Sequence, residues 1–309
     1  MSTETSNQQE SVHFDDEIDL REIFGVLWAG KFVIVAITLV FAVISVFYAL
    51  SIPNQYRAEA LLAPAESSSS GLSGALGQLG GLASLAGVSV GGGQSNEAKI
   101  AQEIMKSWSF IDGFVGENDL AAELVAANGW SKETNRLEIN GEVYSVANKQ
   151  WLVEEPTSWQ LFRSFSGRLG VTEDSTSGLL TVAIEYYSPE IAKRWLDLYV
   201  SAINKHMQNR QLEKVSRSIE HLEAQLAKTS VAEMQEVYFS IIEQQAKKKM
   251  LAEASPEYVF VAVSPSMIPV EKSQPKRATI CILGTLFGGF LSVVFVLLVH
   301  FGRKINLAT

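Results

Sequence analysis

Two long apolar runs dominate the hydrophobic pattern of this chain. The first extends from Phe32 to Ile52, and the second from Ala278 to Gly302; neither contains an Asp, Glu, Lys or Arg. A helix needs roughly 20 residues to cross the hydrocarbon core of a bilayer, whereas a core helix of a soluble protein shows a polar side. We therefore expect transmembrane helices over residues 32–52 and 278–302.

The region between these runs mixes strand and helix patterns. Gln55 to Ala63, Gly178 to Tyr187 and Tyr258 to Val263 are predicted strands of one small sheet. The second of these segments is rich in β-formers, and its apolar positions alternate at Leu180, Val182 and Ile184. Short helical patterns occur between Asn96 and Val125, and Trp151 to Arg168 is a further helix candidate. The predicted fold class is α+β: two transmembrane helices flank a domain, residues 53–277, with a small membrane-proximal sheet and a long helical arm.

The arm, residues 189–253, has the strongest local signals. Ser188, Pro189 and Glu190 are typical of a helix start, and a helix from there to Ala227 would be about 58 Å long. Ser230 and Glu233 form a capping box that predicts the start of a returning helix. A heptad-like apolar seam needs a partner helix, from the same chain or from another copy, and consists of Leu212, Val215, Ile219, Leu222 and Leu226.

Two polar or glycine-rich stretches lie outside these elements. Residues 1–31 form a leader in which Asp15 or Asp16 can cap a short interfacial helix, with a solvated leader as the alternative. Residues 71–93 hold nine glycines in 23 residues, yet leucines are interspersed. That stretch is either packed on an apolar surface, such as a neighbouring subunit, or a disordered surface loop.

Prolines and glycines mark the approach to the second run. Residues 264–277 form a Pro-rich segment, with Pro265, Pro269 and Pro275, and predict a stiff extended connection to the bilayer. Within the run, Gly284 and Gly288 form a GxxxG motif with Gly289 adjacent, a small face that lets helix backbones approach closely. We expect this face to contact either the first span or another copy.

The distribution of charge says less about the topology of this chain than the hydropathy pattern does. The net charge is −9, and no basic patch suits nucleic acid. Because the loop is long and the flanking basic residues tie, charge does not fix the orientation. Those residues are Arg21, Lys31, Arg303 and Lys304 on one side, and Arg57, Lys272, Lys276 and Arg277 on the other.

No set of residues points to catalysis. The sequence lacks the HExxH, GxSxG and GxxxxGK[ST] motifs, and its single cysteine, Cys281, lies in the second run. His206 and His221 are 15 positions apart on the long helix and cannot share a ligand site within one chain. We expect no enzyme activity, no catalytic or cofactor-binding residues, no cofactor and no metal.

Several segments, in this order, resemble one family across nearly the whole chain: the polysaccharide co-polymerases, or Wzz-type chain-length determinants. These segments are DDEIDLREIFGVLWAGKFVI, YRAEALLAP, GLASLAG, SPEIAKRWLDLYVSAIN, IIEQQAKKKMLAEASPEYVFVAVSPSMIP and QPKRATICILGTLFGG. The resemblance implies an inner-membrane protein with cytoplasmic termini, residues 1–31 and 303–309, and a periplasmic domain. It also implies a ring-shaped or bell-shaped homo-oligomer.

The resemblance further implies how such a protein acts. It would contact membrane lipid, work with an integral-membrane polymerase on lipid-linked polysaccharide, and set the modal polymer length. The short tail favours the class without a kinase domain, which acts on lipopolysaccharide O-antigen. The alternatives are a co-polymerase for capsule or exopolysaccharide with a separate tyrosine kinase, a periplasmic scaffold of another complex, and a two-span sensor, for which the leader and tail are too short to supply an output module.

Overall fold

A computed structural model describes residues 20–65 and 93–306 of the chain. The chain divides into two compact units: the span unit, residues 1–52 with 276–309, and the soluble unit, Pro53–Pro275. The predicted cap at Asp15 or Asp16 and residues 71–92 of the glycine-rich stretch lie outside the described residues.

The helices of the described residues fall into both units. In chain order they are α1 (Leu20–Ala29), α2 (Lys31–Ser51), α3 (Gly93–Lys106), α4 (Trp108–Glu117), α5 (Ala121–Ala126), α6 (Ser158–Ser166), α7 (Pro189–Leu226), α8 (Ala232–Ala254) and α9 (Arg277–Asn306).

The strands of the described residues all belong to the soluble unit. They are β1 (Gln55–Pro64), β2 (Ala127–Ser131), β3 (Arg136–Ile139), β4 (Tyr144–Ser145), β5 (Gln150–Trp151), β6 (Leu169–Glu173), β7 (Leu180–Tyr186), β8 (Phe260–Ser264) and β9 (Lys272–Gln274).

Helices α2 and α9 cover the two predicted apolar runs. Their most apolar windows have mean hydropathies of 2.8 and 2.6, and only 11% of each window is buried. A core helix of a soluble protein would be mostly buried. Of the helices in residues 20–65 and 93–306, these two are long and apolar enough to cross a membrane.

The main sheet has the order β6-β7-β1-β8, with β9 also paired to β1, and all of these pairs are antiparallel. The three predicted strands are therefore confirmed as neighbours, with β1 between β7 and β8. The sequence analysis did not predict strands β6 and β9. Strand β6 reaches β7 through a tight turn in which Asp174 accepts hydrogen bonds from the amides of Thr176 and Ser177, while Gly178 takes a φ of +69°.

Alternation along β1 explains which face of the sheet is covered. Ala58, Ala60 and Leu62 are buried, while Arg57 and Glu59 between them are exposed. The first half of α7 packs on the buried face of β1 and β7, and α3 to α6 complete the core. The result is an α+β unit, as the alternating pattern predicts.

Two local predictions were wrong. Val231, not Ser230, precedes the returning helix, and it makes no side-chain cap. The turn is closed instead by Thr229, whose hydroxyl donates to the Gln225 carbonyl and whose carbonyl accepts from the Gln235 side chain. The helix thus begins too late for Glu233 to occupy the reciprocal capping position.

The second wrong prediction concerns Trp151 to Arg168. Trp151 belongs to strand β5, and the helix is confined to Ser158–Ser166. Its start is set by a capping box between Thr157 and Gln160, in which the Gln160 amide donates to the Thr157 hydroxyl and the Gln160 side chain accepts from the Thr157 amide. Pro156 directly before this cap also disfavours helix in the residue that precedes it.

Candidate functional site: paired spans, helical arm and proline segment

Helices α2 and α9 pack against each other as an antiparallel pair. At the start of α9, the Arg277 guanidinium donates to the carbonyl of Ala49 near the end of α2, at 3.1 Å. Further along α9, the Ser292 hydroxyl is 3.4 Å from that of Thr38, which lies nearer the start of α2. Because the two helices are antiparallel, the start of α2 and the end of α9 lie at the same end of the pair. Two membrane spans joined by one intervening unit have this arrangement.

The glycines of α9 face α2 of the same chain. A Cβ added at Gly284 would lie 2.5 Å from the Cβ of Ser45, and one added at Gly288 would overlap the Cβ of Phe41. Gly289 is less crowded, because its added Cβ would meet Thr38 only at 3.8 Å. The sequence analysis left open whether this glycine face contacts the first span or another copy of the chain. The contacts in the described residues are to the first span.

The helical arm is an antiparallel hairpin of α7 and α8. Near its root, the Gln208 side chain donates to the carbonyls of Ala252 and Ser255, at 2.8 and 3.1 Å. At its far end, the turn around Thr229 joins the two helices. Helix α8 is thus the partner that α7 has within one chain.

The predicted arm seam lies against this intrachain partner at its root. Val215 is 2% exposed, and the other four seam residues are partly buried. Part of the seam is therefore already used within one chain. A role of Leu212, Ile219, Leu222 and Leu226 in joining copies stays a prediction.

Helix α8 carries apolar side chains on its flanks that the single chain leaves exposed. Their exposed fractions range from 43% for Met234 to 67% for Met250, and the set is Met234, Val237, Phe239, Met250 and Leu251. The sequence analysis did not single out Val237, Phe239 or Met250, because the seam of α7 had the more regular spacing.

The root of the arm is fixed by an aromatic core. Trp195 and Tyr199 of α7 are fully buried, with Tyr186 packed 4.3 Å from Trp195 and Phe114 packed 4.8 Å from Tyr199, between ring centroids. Burial raises the pKa of both Tyr186 and Tyr199 well above the usual range of tyrosine. Their hydroxyls stay neutral and donate to the carbonyls of Glu123 and Met105.

Glu123 joins the arm to the helices beneath it. Its carboxylate accepts from the Arg194 guanidinium at 2.5 Å and from the Trp195 indole at 3.2 Å. One carboxylate thus binds two adjacent residues of α7. This arrangement orients the first turns of the arm.

The Pro-rich segment follows β8 along the edge of β1. Residues 265–270 form neither helix nor strand. Lys272 to Gln274 then form β9, which pairs with Gln55 and Tyr56. Ser266 is buried and donates to the Asp197 carboxylate of α7. The extended connection expected from Pro265, Pro269 and Pro275 is therefore held partly by strand pairing, which the prolines alone do not predict.

Sequence reasoning missed Asn204, the polar side chain that ties α7 to β8. It is 4% exposed, and its carboxamide binds the backbone of Val259 and Phe260. An asparagine in a helix that also carries many exposed polar residues gives no sequence signal of burial.

Residues 24–65 and 96–300 contain no group of three or more His, Cys, Asp or Glu side chains placed to hold a metal ion. His206 lines a shallow open groove along α7, and His221 does not line it. The groove is otherwise lined by mixed charges, such as Arg210, Glu213 and Lys249.

Comparison with known proteins supplies one sequence match. The family model described as Wzz, chain length determinant protein, matches residues 16–117. No curated protein sequence matches the chain significantly.

Solved structures of polysaccharide co-polymerases align with the chain at low identity. A full-length bacterial polysaccharide co-polymerase aligns at 14% identity and a TM-score of 0.41, over 93% of this chain and 99% of that one. A fragment of WzzB, a polysaccharide co-polymerase from Salmonella Typhimurium, aligns at 15% identity and a TM-score of 0.29, over 72% and 100%. A mutant of the Shigella flexneri lipopolysaccharide O-antigen chain-length regulator aligns at 9% identity and a TM-score of 0.24, over 71% and 100%.

The sequence match covers α1, the first span, β1 and the first helices of the soluble unit, so it includes the strand that organises the main sheet. The segments DDEIDLREIFGVLWAGKFVI and YRAEALLAP, on which the resemblance in the sequence rests, lie wholly or largely within this match. Over residues 16–117 the chain is therefore similar to the Wzz chain length determinant proteins.

Proposed function

We propose that this chain is a non-catalytic, homo-oligomeric regulator of polysaccharide chain length that acts with an integral-membrane polymerase. The observation that carries the proposal is the family match over residues 16–117. In this proposal the chain itself forms no glycosidic bond. It holds the polymerase and the growing lipid-linked polysaccharide in a fixed arrangement, and that arrangement sets the modal length.

The proposed location is the bacterial inner membrane, with both termini in the cytoplasm and Pro53–Pro275 in the periplasm. The antiparallel packing of α2 and α9 supports a common side for the termini, because a helical hairpin returns the chain to the side from which it entered. The assignment of that side to the cytoplasm comes from the family, since the flanking charges do not decide it.

Self-association is the second part of the proposal. Phe239 and Met250 on α8 are 60% and 67% exposed, and burying such side chains against another copy would remove apolar area from water. Long two-helix arms side by side also offer the seam contacts that a heptad pattern provides. We expect rings of copies in which arms pack against arms.

The polymer that we propose is the O-antigen of lipopolysaccharide. O-antigen is the polymer named for the Shigella flexneri chain-length regulator that aligns with this chain. A capsule or exopolysaccharide regulated together with a separate tyrosine kinase is the other outcome that the experiment must distinguish.

Deleting the gene tests the proposal. Lipopolysaccharide and capsule from the deletion strain are resolved by size on gels and compared with the parent strain and with the complemented deletion. We expect O-antigen chains to persist while their length distribution loses its mode, and complementation to restore it. Complete loss of long polymer would indicate a polymerase or ligase role, and a change confined to capsule would assign the other polymer. An unchanged distribution of both polymers would overturn the proposal.

A further inference from the structure

A short apolar loop lies between β8 and β9. We define the apolar loop as Met267, Ile268, Pro269 and Val270. The exposed fractions are 76% for Met267, 50% for Ile268 and 92% for Val270. Water solvates such side chains poorly, and contiguous exposed apolar residues are a mark of interaction sites.

The loop is held at both of its ends. Ser264, at the end of β8, pairs with Leu61, and Lys272, at the start of β9, pairs with Tyr56. Ser266, directly before the loop, is buried and donates to the Asp197 carboxylate. The exposed tip is therefore presented by a fixed frame rather than by a free chain end.

The chain length between the loop and the second span limits where the tip can be. Val270 lies seven residues before Arg277, where α9 begins. An extended chain of that length covers at most roughly 25 Å. If α9 crosses a bilayer, the tip must lie within that distance of the membrane surface at which α9 begins.

Charge around the loop also matches a bilayer surface. Lys272, Lys276 and Arg277 follow the loop, against the single acid Glu271. Lys and Arg close to a membrane are attracted by anionic headgroups.

We propose that the apolar loop inserts into the interface of the lipid bilayer beside the second span, with Met267, Ile268 and Val270 as the inserting side chains. The soluble unit then has a third attachment to the membrane besides its two covalent connections. This inference depends on α2 and α9 crossing a bilayer, and it is independent of the polysaccharide proposal.

The test uses the full chain with Cys281→Ser, reconstituted in vesicles of phosphatidylethanolamine and phosphatidylglycerol. Val270→Cys is labelled with an environment-sensitive fluorophore, and quenching by nitroxides on the lipid acyl chains is compared with quenching by aqueous iodide. The matched control is Val146→Cys, since Val146 is also a valine in the soluble unit and is 63% exposed.

We expect the label at position 270 to be quenched by the lipid nitroxides and to be several-fold less accessible to iodide than the label at position 146. Equal iodide accessibility at both positions would overturn the inference. So would a label at position 270 that is shielded from iodide without being quenched by lipid, because another protein surface would then cover the loop.

Discussion

The carboxamide of Asn204 binds both backbone hydrogen-bonding groups of Phe260, its N–H and its carbonyl. Its Nδ2 donates to the Phe260 carbonyl and its Oδ1 accepts from the Phe260 amide, each at 2.9 Å, and Oδ1 also accepts from the Val259 amide at 2.9 Å. All of these groups are buried. One side chain of the long helix therefore satisfies three backbone groups where the chain returns from the arm to the sheet.

Replacing Asn204 by Leu should destabilise the soluble unit by about 3 kcal/mol, because buried polar groups without partners cost about 1–3 kcal/mol each. Urea unfolding of the detergent-solubilised chain, followed by tryptophan fluorescence, measures the effect. Asn209→Leu on the exposed side of the same helix is the matched control and should change the midpoint little. Equal midpoints for the two variants would show that the Asn204 hydrogen bonds contribute no net stability.

Gly288→Ala should weaken the pairing of the two spans by about 1–2 kcal/mol, since its Cβ would overlap Phe41. Gly289→Ala is the matched control, because its Cβ meets Thr38 only at 3.8 Å. Cysteine cross-linking between the spans in membranes measures the pairing. Similar cross-linking in both variants would argue against a tight contact at Gly288.

The same glycine face tests the proposed mechanism of length control. Gly284→Leu or Gly288→Leu should broaden or shorten the polymer distribution while the protein still accumulates, because the soluble unit folds around its own core. Gel analysis of the polymer, with immunoblots for protein level, reads out both quantities. A normal modal length in either variant would remove the span contact from the mechanism and leave the arm as the candidate.

Alkaline pH should destabilise the soluble unit through Tyr258. Burial, together with the nearby Glu97 carboxylate, raises the pKa of Tyr258 from 10.0 to about 12. A raised pKa in the folded state means that this contribution is fully present below pH 10 and is lost as the pH rises through 12. In urea unfolding at several pH values, Tyr258→Phe should lose stability less steeply between these limits than the wild type, and identical slopes would contradict the assignment.

Arm stability and assembly should respond to different side chains. Val215→Ala should cost about 2 kcal/mol of arm stability, because Val215 is buried within one chain. Phe239→Ser should leave the arm helical but reduce the size of the oligomer in mild detergent. Circular dichroism and light scattering separate the two effects, and an unchanged oligomer with Phe239→Ser would exclude this residue from the contact between copies.

Topology can be checked with a thiol reagent that cannot cross the membrane. In a Cys281→Ser background, Ser230→Cys at the exposed end of the arm should be labelled in intact spheroplasts, and Ser6→Cys should not. Labelling at position 6 alone would reverse the proposed orientation.

Much of the fold could be predicted because its main signals are local. The apolar runs of α2 and α9, the alternation in β1 and β7, and the Ser188 cap depend on residues close in sequence. Strands β6 and β9 were missed because they are short and are stabilised by pairing with β7 and β1 rather than by their own composition.

The candidate site was less predictable than the fold. GxxxG marks a close contact but not its partner, because the motif does not specify which helix supplies the facing residues, which here are Thr38, Phe41 and Ser45 of α2. Asn204 acts only through backbone groups more than fifty positions away. Such long-range hydrogen bonds leave no periodic trace in a sequence.

The pairing of β1 with β9 shortens the tether between the two spans. Gln55 follows α2 closely and is opposite Gln274, which comes just before α9, and the Ser273 hydroxyl also donates to the Gln55 carbonyl. Once the soluble unit is folded, the spans are joined as if by a compact linker, so the effective concentration of one span for the other rises. Unfolding of the soluble unit would release this tether, and the pairing of the spans would then have to depend on their own glycine contacts.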